Sequence, residues 1–392
     1  MADKAVLGFY MSINQNQKKL FFRLLLGLIT NLLLYGMAVS GDILFHEEIG
    51  REAIIYSILP DGSNLKKIGQ GLSPQWSPDG KYISYVEYAE RGDPTFGKAL
   101  IIIEHAGKEI FRIGGIKDIT NIITPSIVRY RWNPNGKGIA LVTVSGRHQG
   151  AIAYYDIKTS QLKSLHKIEF RDLDMAFLTT TLEWSPDGRQ ILFYSGSALP
   201  KNQGIVLIDI ESGTLKILSE TGILPGFMGN KVFFVIGSEI WTVNLDGSDK
   251  KRLLDVGIPV STLSKIVNNK LILQTFGRAD AKKMDEKEEL PFKLYLLNLD
   301  DKKKDLKEIG SKNYLLLCPN ISPDGSKFTA IGLRFKKDGQ IVSEGERELG
   351  YYIFDIETGD ATLLKRFEDR DKGKGFWWGI YAGYGNHTSW SR

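Results

Sequence analysis

Short apolar runs recur along this 392-residue chain, and a similar polar phrase precedes several of them. The phrase reads Trp-Ser-Pro-Asp-Gly at residues 76–80 and 184–188, Trp-Asn-Pro-Asn-Gly at 132–136 and Ile-Ser-Pro-Asp-Gly at 321–325. The apolar runs that follow it cover residues 82–86, 139–144, 191–194 and 328–333. A period of roughly 40 to 55 residues indicates an array of similar structural units. We therefore interpret the chain as a repeat protein.

The residues of the phrase suit a turn between two strands. Proline fixes φ near about −65°, aspartate or asparagine accepts bonds from nearby backbone amides, and glycine adopts the positive φ that closes the turn. The tryptophan ends the first of these two strands. A small sheet can bury so large an apolar side chain only against a neighbouring sheet. In one repeat, runs at 204–210 and 214–218 predict two further strands around a turn at 211–213. Four strands per repeat make a propeller blade.

These repeated residues are therefore predicted to be structural. The set comprises Trp76, Asp79, Trp132, Trp184, Asp187, Asp324 and Trp390. Asn135 occupies the place that aspartate takes in the other copies. An amide can accept the same turn bonds, but it cannot replace a general acid. The three aspartates are accordingly not expected to be catalytic.

The phrase, with downstream runs such as residues 55–65, resembles the TolB-type, WD40-like β-propeller repeat. The same repeat occurs in the propeller domains of tricorn-like and prolyl-oligopeptidase-like proteins. The resemblance covers residues from about 42 to 392 and implies an all-β propeller. It implies little about function, because the phrase builds the blade and touches no ligand. In TolB itself a small α/β domain precedes the propeller, whereas here a strand begins at residues 43–45; no room is expected for the hydrolase domain of the peptidases.

The repeats predict seven four-stranded blades in one ring. Their approximate spans are residues 42–71, 72–120, 121–175, 176–221, 222–257, 258–312 and 313–370. Six blades are the alternative, because the fifth and sixth units lack the phrase. The C-terminal segment at 388–392 contains the first half of a phrase, and placing it before residues 42–45 restores the repeat pattern. A C-terminal strand is thus predicted to complete the first blade and close the ring, which hides sheet edges.

The first forty residues have the order of a secretory signal. Lys18, Lys19 and Arg23 precede an apolar run at 24–35, and small residues lead to Ser40. Residues 20–39 could alternatively serve as one membrane anchor. In both cases the propeller, residues 41–392, is expected to be exported. It would be periplasmic, or anchored to the inner membrane and facing the periplasm.

Charge and rare residue types restrict the chemistry. The net charge is +5, and the first forty residues hold four basic and one acidic side chain, which leaves about +2 for the remainder. So small a net charge produces only a weak electrostatic field, which does not favour nucleic-acid binding. The single Cys318 cannot form an internal disulfide, and its apolar setting predicts an inert buried thiol. The five histidines lack metal-ligand spacing, and no nucleophile elbow or phosphate-binding loop is present. We predict no catalytic residue, no metal and no cofactor.

The candidate binding residues immediately precede the phrase. Symmetry places these residues around one axis, where they are expected to line the mouth formed by the starts of the innermost strands. They are Gln75, Arg131, Glu183 and Asn320, with Arg129 beside them. They could simply solvate the channel. Alternatively, they form a site for a ligand or a partner.

The function predicted from this pattern is that of a non-catalytic binding module or scaffold of the cell envelope. Its partner would be an envelope protein, a peptide or a glycan, and the protein would be a monomer. One alternative is a hydrolase or lyase that acts on saccharide or peptide through carboxylates at the channel mouth. Another is a membrane-tethered sensor, which differs in retaining the N-terminal apolar segment.

The predicted secretory signal at residues 1–40, which we call the leader, gives a testable prediction. Cleavage after Ser40 should yield a mature protein that starts at Gly41, because small residues precede that bond. N-terminal sequencing of the exported protein measures this directly. A cytoplasmic protein with an intact N-terminus would contradict the prediction of export.

Overall fold

All regular structure that the computed structural model describes is β-strand. The described residues are 41–49, 52–88, 97–114, 126–145, 149–169, 181–196, 203–276, 292–300, 305–310, 314–334, 348–367 and 388–391. The predicted leader and the charged segment 278–289 lie outside them, so the predicted domain boundary after residue 40 stays a prediction. In the described ranges no helix has the length and apolar character needed to cross a membrane.

The strands form seven four-stranded antiparallel blades in a ring. Blade 1 contains β1 (Ile43–Ile49), β2 (Glu52–Ile58), β3 (Lys66–Gln70) and β28 (Thr388–Trp390); blade 2 contains β4 (Leu72–Trp76), β5 (Tyr82–Tyr88), β6 (Gly97–Glu104) and β7 (Glu109–Gly114). Blade 3 contains β8 (Ser126–Trp132), β9 (Gly138–Ser145), β10 (Gln149–Asp156) and β11 (Gln161–Glu169); blade 4 contains β12 (Leu182–Trp184), β13 (Gln190–Gly196), β14 (Gln203–Asp209) and β15 (Leu215–Ser219).

The remaining blades repeat this order. Blade 5 contains β16 (Ile223–Met228), β17 (Lys231–Ile236), β18 (Glu239–Asn244) and β19 (Lys251–Asp255); blade 6 contains β20 (Val260–Leu263), β21 (Lys270–Phe276), β22 (Phe292–Asn298) and β23 (Leu306–Ile309). Blade 7 contains β24 (Tyr314–Ile321), β25 (Lys327–Arg334), β26 (Glu348–Asp355) and β27 (Ala361–Arg366). The prediction of seven blades is confirmed, and the six-blade alternative is wrong.

The first strand of each blade is the innermost. First strands of adjacent blades contact one another, as β28 does with β4, and β12 with both β8 and β16. The turn between the first and second strands and the turn between the third and fourth strands leave the sheet at the same end. We call this end of the ring the turn face. The first strands therefore run towards the turn face.

The C-terminal strand closes the ring as predicted. In β28, Trp390 pairs with Ile43 and Thr388 pairs with Phe45 of β1. The amide of Ser391 also donates to the carbonyl oxygen of Asp42 at 3.0 Å. Blade 1 is thus built from both ends of the propeller sequence, which leaves no open blade at the junction.

The phrase forms the predicted turn in each copy. Gly80, Gly136, Gly188 and Gly325 share a φ of 71°, which glycine adopts without steric cost. In the blade 4 copy the Ser185 hydroxyl and the Arg189 amide donate to Oδ1 of Asp187, at 2.6 and 3.1 Å. These bonds link the Asp187 carboxylate to the backbone and the serine of its own turn.

These bonds alter the acidity of the turn carboxyls. The Ser185 hydroxyl, followed by the Arg189 amide, lowers the pKa of Asp187. At Asp79 and Asp324 burial raises the pKa, but bonds from the serine hydroxyl and the following amide outweigh it, so that the pKa is lowered there too. Each turn is consequently stabilised by the ionised form of its carboxyl group.

The outermost strand of every blade carries a basic side chain. These side chains are Lys66, Arg112, Lys163, Lys216, Arg252, Lys307 and Lys365, on β3, β7, β11, β15, β19, β23 and β27 respectively. An outermost strand exposes unpaired backbone groups that can pair with another chain, and charge on the strand opposes such pairing. The exposed members of this set therefore have a structural explanation without a charged ligand, whereas Lys365 is largely buried and pairs with Glu47 at 2.8 Å.

The turn carboxyls predict a pH dependence of stability. Their folded pKa values lie below the unfolded value of about 3.9, so their stabilisation is complete above that pH and is lost as the pH falls through the folded values. The triple variant Asp79→Asn, Asp187→Asn, Asp324→Asn should lose less thermal stability between about pH 5 and about pH 3 than the parent. Melting temperatures across this range measure the effect.

Blade 3 supplies the matched control. Its turn already contains Asn135, whose Oδ1 accepts the Lys137 amide at 2.8 Å. Introducing the charge there with Asn135→Asp should steepen the loss of stability in acid. Equal acid sensitivity in the parent and in both variants would show that these carboxyls do not contribute.

Candidate partner-binding site at the turn face

The candidate residues lie at the ends of the innermost strands. Gln75, Arg131 and Asn320 are each the next-to-last residue of β4, β8 and β24, and Glu183 is the middle residue of the short β12. The expectation that they surround the mouth formed by the strand starts was wrong. The tryptophan ends its strand, so the residue before it must lie near the turn face. Any site that these residues form is on that face.

Two of these residues connect adjacent blades. Gln75 of blade 2 donates from Nε2 to the carbonyl oxygen of Tyr130 in blade 3, at 2.9 Å. Asn320 of blade 7 donates from Nδ2 to the carbonyl oxygen of Thr388 in blade 1, at 2.8 Å. Both residues are only 8% exposed. Their amides are thus engaged in holding the ring together.

Ser389 occupies the equivalent place in blade 1 and was not among the predicted residues. Its hydroxyl oxygen accepts the backbone amide of Trp76 at 3.2 Å, which again joins two blades. The C-terminal half-phrase contained the signal needed to find it, because Ser389 directly precedes Trp390.

Arg131 and Glu183 form a charged pair between blades 3 and 4. Nε of Arg131 lies 3.5 Å from Oε1 of Glu183, and the two side chains are 19% and 39% exposed. Nη1 of Arg131 lies 3.4 Å from the carbonyl oxygen of Tyr130, a long contact for a hydrogen bond. This pair therefore remains partly accessible to solvent, unlike the two amides.

Arg129 lies on the same side of β8 as Arg131. The two residues are paired with Val142 and Ala140 of β9, which both belong to the apolar cluster between blades 3 and 4. Burial, reinforced by the positive charge of Arg131 and opposed by Glu183, lowers the pKa of Arg129 to about 10. The side chains thus form a cluster of two guanidinium groups and one carboxylate.

The tryptophans of the phrase donate hydrogen bonds to the preceding blade. Nε1 of Trp184 donates to the carbonyl oxygen of Arg131 at 3.0 Å, and Nε1 of Trp390 donates to that of Asn320 at 3.2 Å. The Trp132 indole donates to the Ser84 hydroxyl at 2.7 Å. Their indole groups are thus engaged in contacts between adjacent blades.

The described residues show no arrangement that would hold a metal ion. No group of three or more histidine, cysteine, aspartate or glutamate side chains converges within the described ranges. Cys318 is close to the ring axis on β24, where burial raises the pKa of its thiol to about 12. A thiol with so high a pKa is a poor nucleophile at neutral pH.

Comparison with known proteins supports the fold. No protein-family model and no curated protein matches the sequence. A prolyl endopeptidase structure aligns with a TM-score of 0.57 and 13% identity, over 85% of this chain and 51% of that chain. The β-propeller domain of the Trilobed protease from Pyrococcus furiosus aligns with a TM-score of 0.54 and 12% identity, over 84% of this chain and 97% of that domain.

TolB from Acinetobacter baumannii is also similar, with a TM-score of 0.47 and 14% identity over 90% of this chain and 66% of that chain. This chain thus spans about half of the prolyl endopeptidase and 66% of TolB. At such identities the likeness shows the fold alone, a β-propeller, and the seven blades are those of the structure described above. The Pyrococcus domain is described as having an open velcro topology, whereas here β28 pairs with β1.

The contacts predict that the four candidate positions respond differently to substitution. Gln75→Ala and Asn320→Ala should each cost about 1–3 kcal/mol, because each leaves buried polar groups unsatisfied. Glu183→Gln should cost less than about 1 kcal/mol, as is usual for partly exposed ion pairs. Urea unfolding midpoints measure these costs. A cost at Glu183 as large as that at Asn320 would contradict the assignment of a structural role to the amides only.

Proposed function

We propose that this protein is a non-catalytic binding module of the cell envelope, and that it binds a partner at the channel mouth on the turn face. The partner is an envelope protein, a peptide or a glycan. The observation that carries the proposal is the Arg131–Glu183 pair, which remains partly exposed where the equivalent amides are buried. We also propose that the protein acts as a monomer, without metal or cofactor.

The chemistry of the pair favours binding over catalysis. An arginine fork and a carboxylate can each make charge-assisted hydrogen bonds to a polar partner. Glycoside hydrolysis would instead need two carboxyl groups that flank one bond. Among the described residues of this cluster Glu183 is the one carboxylate, and its Oε1 lies 3.5 Å from Nε of Arg131.

Export to the periplasm forms part of this proposal. Support comes from the order of basic and apolar residues before Ser40 and from the TolB-type resemblance of the phrase. If the apolar segment is retained, the propeller would be tethered to the inner membrane, and a sensor role would become the appropriate description. The cleavage measurement proposed above distinguishes the two forms.

The experiment compares two charge-neutral double variants in capturing proteins and glycans from a native envelope extract. The first variant is Arg131→Gln, Glu183→Gln. The control is Arg112→Gln, Glu109→Gln, which neutralises an exposed ion pair of 3.0 Å on the outer strand β7. Capture should be lost with the first variant and retained with the control, while both unfold at the same urea concentration as the parent.

Two outcomes would overturn the proposal. Equal capture by the parent and by the variant at Arg131 and Glu183 would remove the binding site from the turn face. Turnover of a defined peptide or saccharide by the purified parent protein would remove the claim that the protein is not an enzyme.

A further inference from the structure

We infer that the ion pair between Glu47 and Lys365 selects blade 1 as the neighbour of blade 7 when the ring closes. The pair crosses the contact between these two blades, which we call the closing seam. The other six seams join blades that are consecutive in the sequence, whereas the closing seam joins the first blade to the last. This inference concerns assembly of the ring and is independent of the proposed function.

Apolar packing alone specifies the closing seam weakly. All seven seams contain a buried cluster of aliphatic and aromatic side chains. Apolar attraction has no direction and depends mainly on the area removed from water. The closing strand β28 adds only three paired residues. A blade face that docks against the wrong neighbour therefore keeps much of its apolar contact.

Glu47 and Lys365 form the most buried ion pair between described residues. Nζ of Lys365 lies 2.8 Å from Oε2 of Glu47, and the lysine side chain is 11% exposed and the glutamate side chain 3%. In every other described pair at least one side chain is 39% exposed or more. Nζ also donates to the carbonyl oxygen of Arg366 at 3.3 Å and lies 5.2 Å from the centre of the Tyr56 ring. Among the described residues, Glu47 is the one carboxylate within ion-pair distance of Lys365.

A second contact fixes the height at which the two blades meet. Lys365 is paired with Tyr351 in the β26–β27 ladder. The Tyr351 hydroxyl donates to the carbonyl oxygen of His46 at 2.9 Å, and His46 directly precedes Glu47 on β1. Neighbouring positions on the two blades are thus joined twice, so the ion pair forms in one relative placement of the blades.

Lysines on other outermost strands make contacts that any blade could supply. Nζ of Lys163 on β11 donates to the carbonyl oxygen of Glu211 in the next blade at 2.8 Å. Nζ of Lys216 on β15 lies 3.5 Å from the carbonyl oxygen of Leu245 in the blade after that. Every blade has backbone carbonyl groups in this turn, so these contacts do not distinguish one blade from another. Lys365 instead binds a side chain.

Equivalent positions in other blades do not offer Lys365 the same partner. Glu47 lies four residues after Ile43, which pairs with the tryptophan of β28. The equivalent positions in blades 2, 3, 4 and 7 are held by Glu87, Thr143, Ser195 and Gly332. Glu87 is already bound to Arg112 of its own blade at 2.6 Å. Of these five blades, blade 1 is therefore the one that presents its carboxylate to the neighbouring blade.

A buried charge penalises the wrong neighbour more than it stabilises the right one. Moving two charges out of water is unfavourable, and their attraction offsets this only where they meet in good geometry. Lys365 buried against a blade without a carboxylate would keep the penalty and lose the attraction. Replacing such a pair by apolar side chains is often neutral or stabilising. The pair therefore contributes to the choice of neighbour and little to the stability of the closed ring.

The experiment separates the stability of the closed ring from the fidelity of its closure. The variants are Glu47→Met, Lys365→Met and the double variant, because methionine has a similar length without charge. The control is the double variant Lys293→Met, Glu308→Met, which removes an exposed pair between β22 and β23 of one blade. Urea midpoints measure stability. The monomer fraction, measured by size-exclusion chromatography with light scattering, reports closure in the exported protein and after dilution from urea.

We expect the double variant at the seam to be stable but to close with lower fidelity. Each single variant should unfold at a lower urea concentration than the parent, because one charge stays buried without its partner. The double variant should unfold at the same urea concentration as the parent or a higher one. Its monomer fraction should nevertheless fall about two-fold or more as the protein concentration rises, since wrongly joined seams leave blade faces exposed to other chains. The control should match the parent in both measurements.

Three results would overturn the inference. A double variant as unstable as the single variants would show that the pair stabilises the ring and does not select the neighbour. A stable double variant that yields as much monomer as the parent would show that apolar packing and β28 specify the seam by themselves. An equal loss of monomer in the control would assign the effect to added apolar surface.

Discussion

The contact between a tryptophan of the phrase and the preceding blade is the interaction on which four seams of the ring depend. In Trp184 and Trp390, the indole nitrogen binds the carbonyl oxygen of the residue that precedes the phrase in the neighbouring blade. The ring of each tryptophan is at most 9% exposed and packs in the same interface. A four-stranded blade has too little apolar surface to be stable alone. Each blade is therefore completed by its neighbour, and β28 supplies the innermost strand of blade 1.

This bond also determines which side chains at the seams are available to bind a partner. The carbonyl oxygen of Arg131 is held by Trp184, so the arginine side chain starts from a fixed backbone position. At Gln75 and Asn320 the side chain makes the contact between blades as well. Where the chain has charged residues instead, their contact is longer and more exposed. At this position the seam between blades 3 and 4 thus carries a charged pair that is partly exposed to solvent.

The sequence predicts the turns and the blade number well, because both depend on short-range chemistry. Proline, aspartate and glycine determine the turn locally, and the half-phrase around Trp390 predicts the closing strand. The bulges in the innermost strands were not predictable in the same way. Ser73, Leu224 and Cys318 each have a positive φ and precede a proline within an innermost strand, and each marks a bulge. No local preference of leucine or cysteine favours that conformation, so the bulges depend on packing in the ring.

A repeated fold gains a specific site where equivalent residues differ from one repeat to the next. Seven similar strand ends with seven similar side chains would present a symmetric ring, which suits no ordinary peptide. Here the tryptophan is kept in blades 1 to 4 and replaced by Ile321 in blade 7, while the residue before it changes from serine to glutamine, arginine, glutamate and asparagine. The repeat fixes where each side chain lies, and the variation decides what it can bind. A change at Arg131 or Glu183 leaves the turn and the indole bond intact, whereas Gln75 and Asn320 also hold adjacent blades together through their side chains.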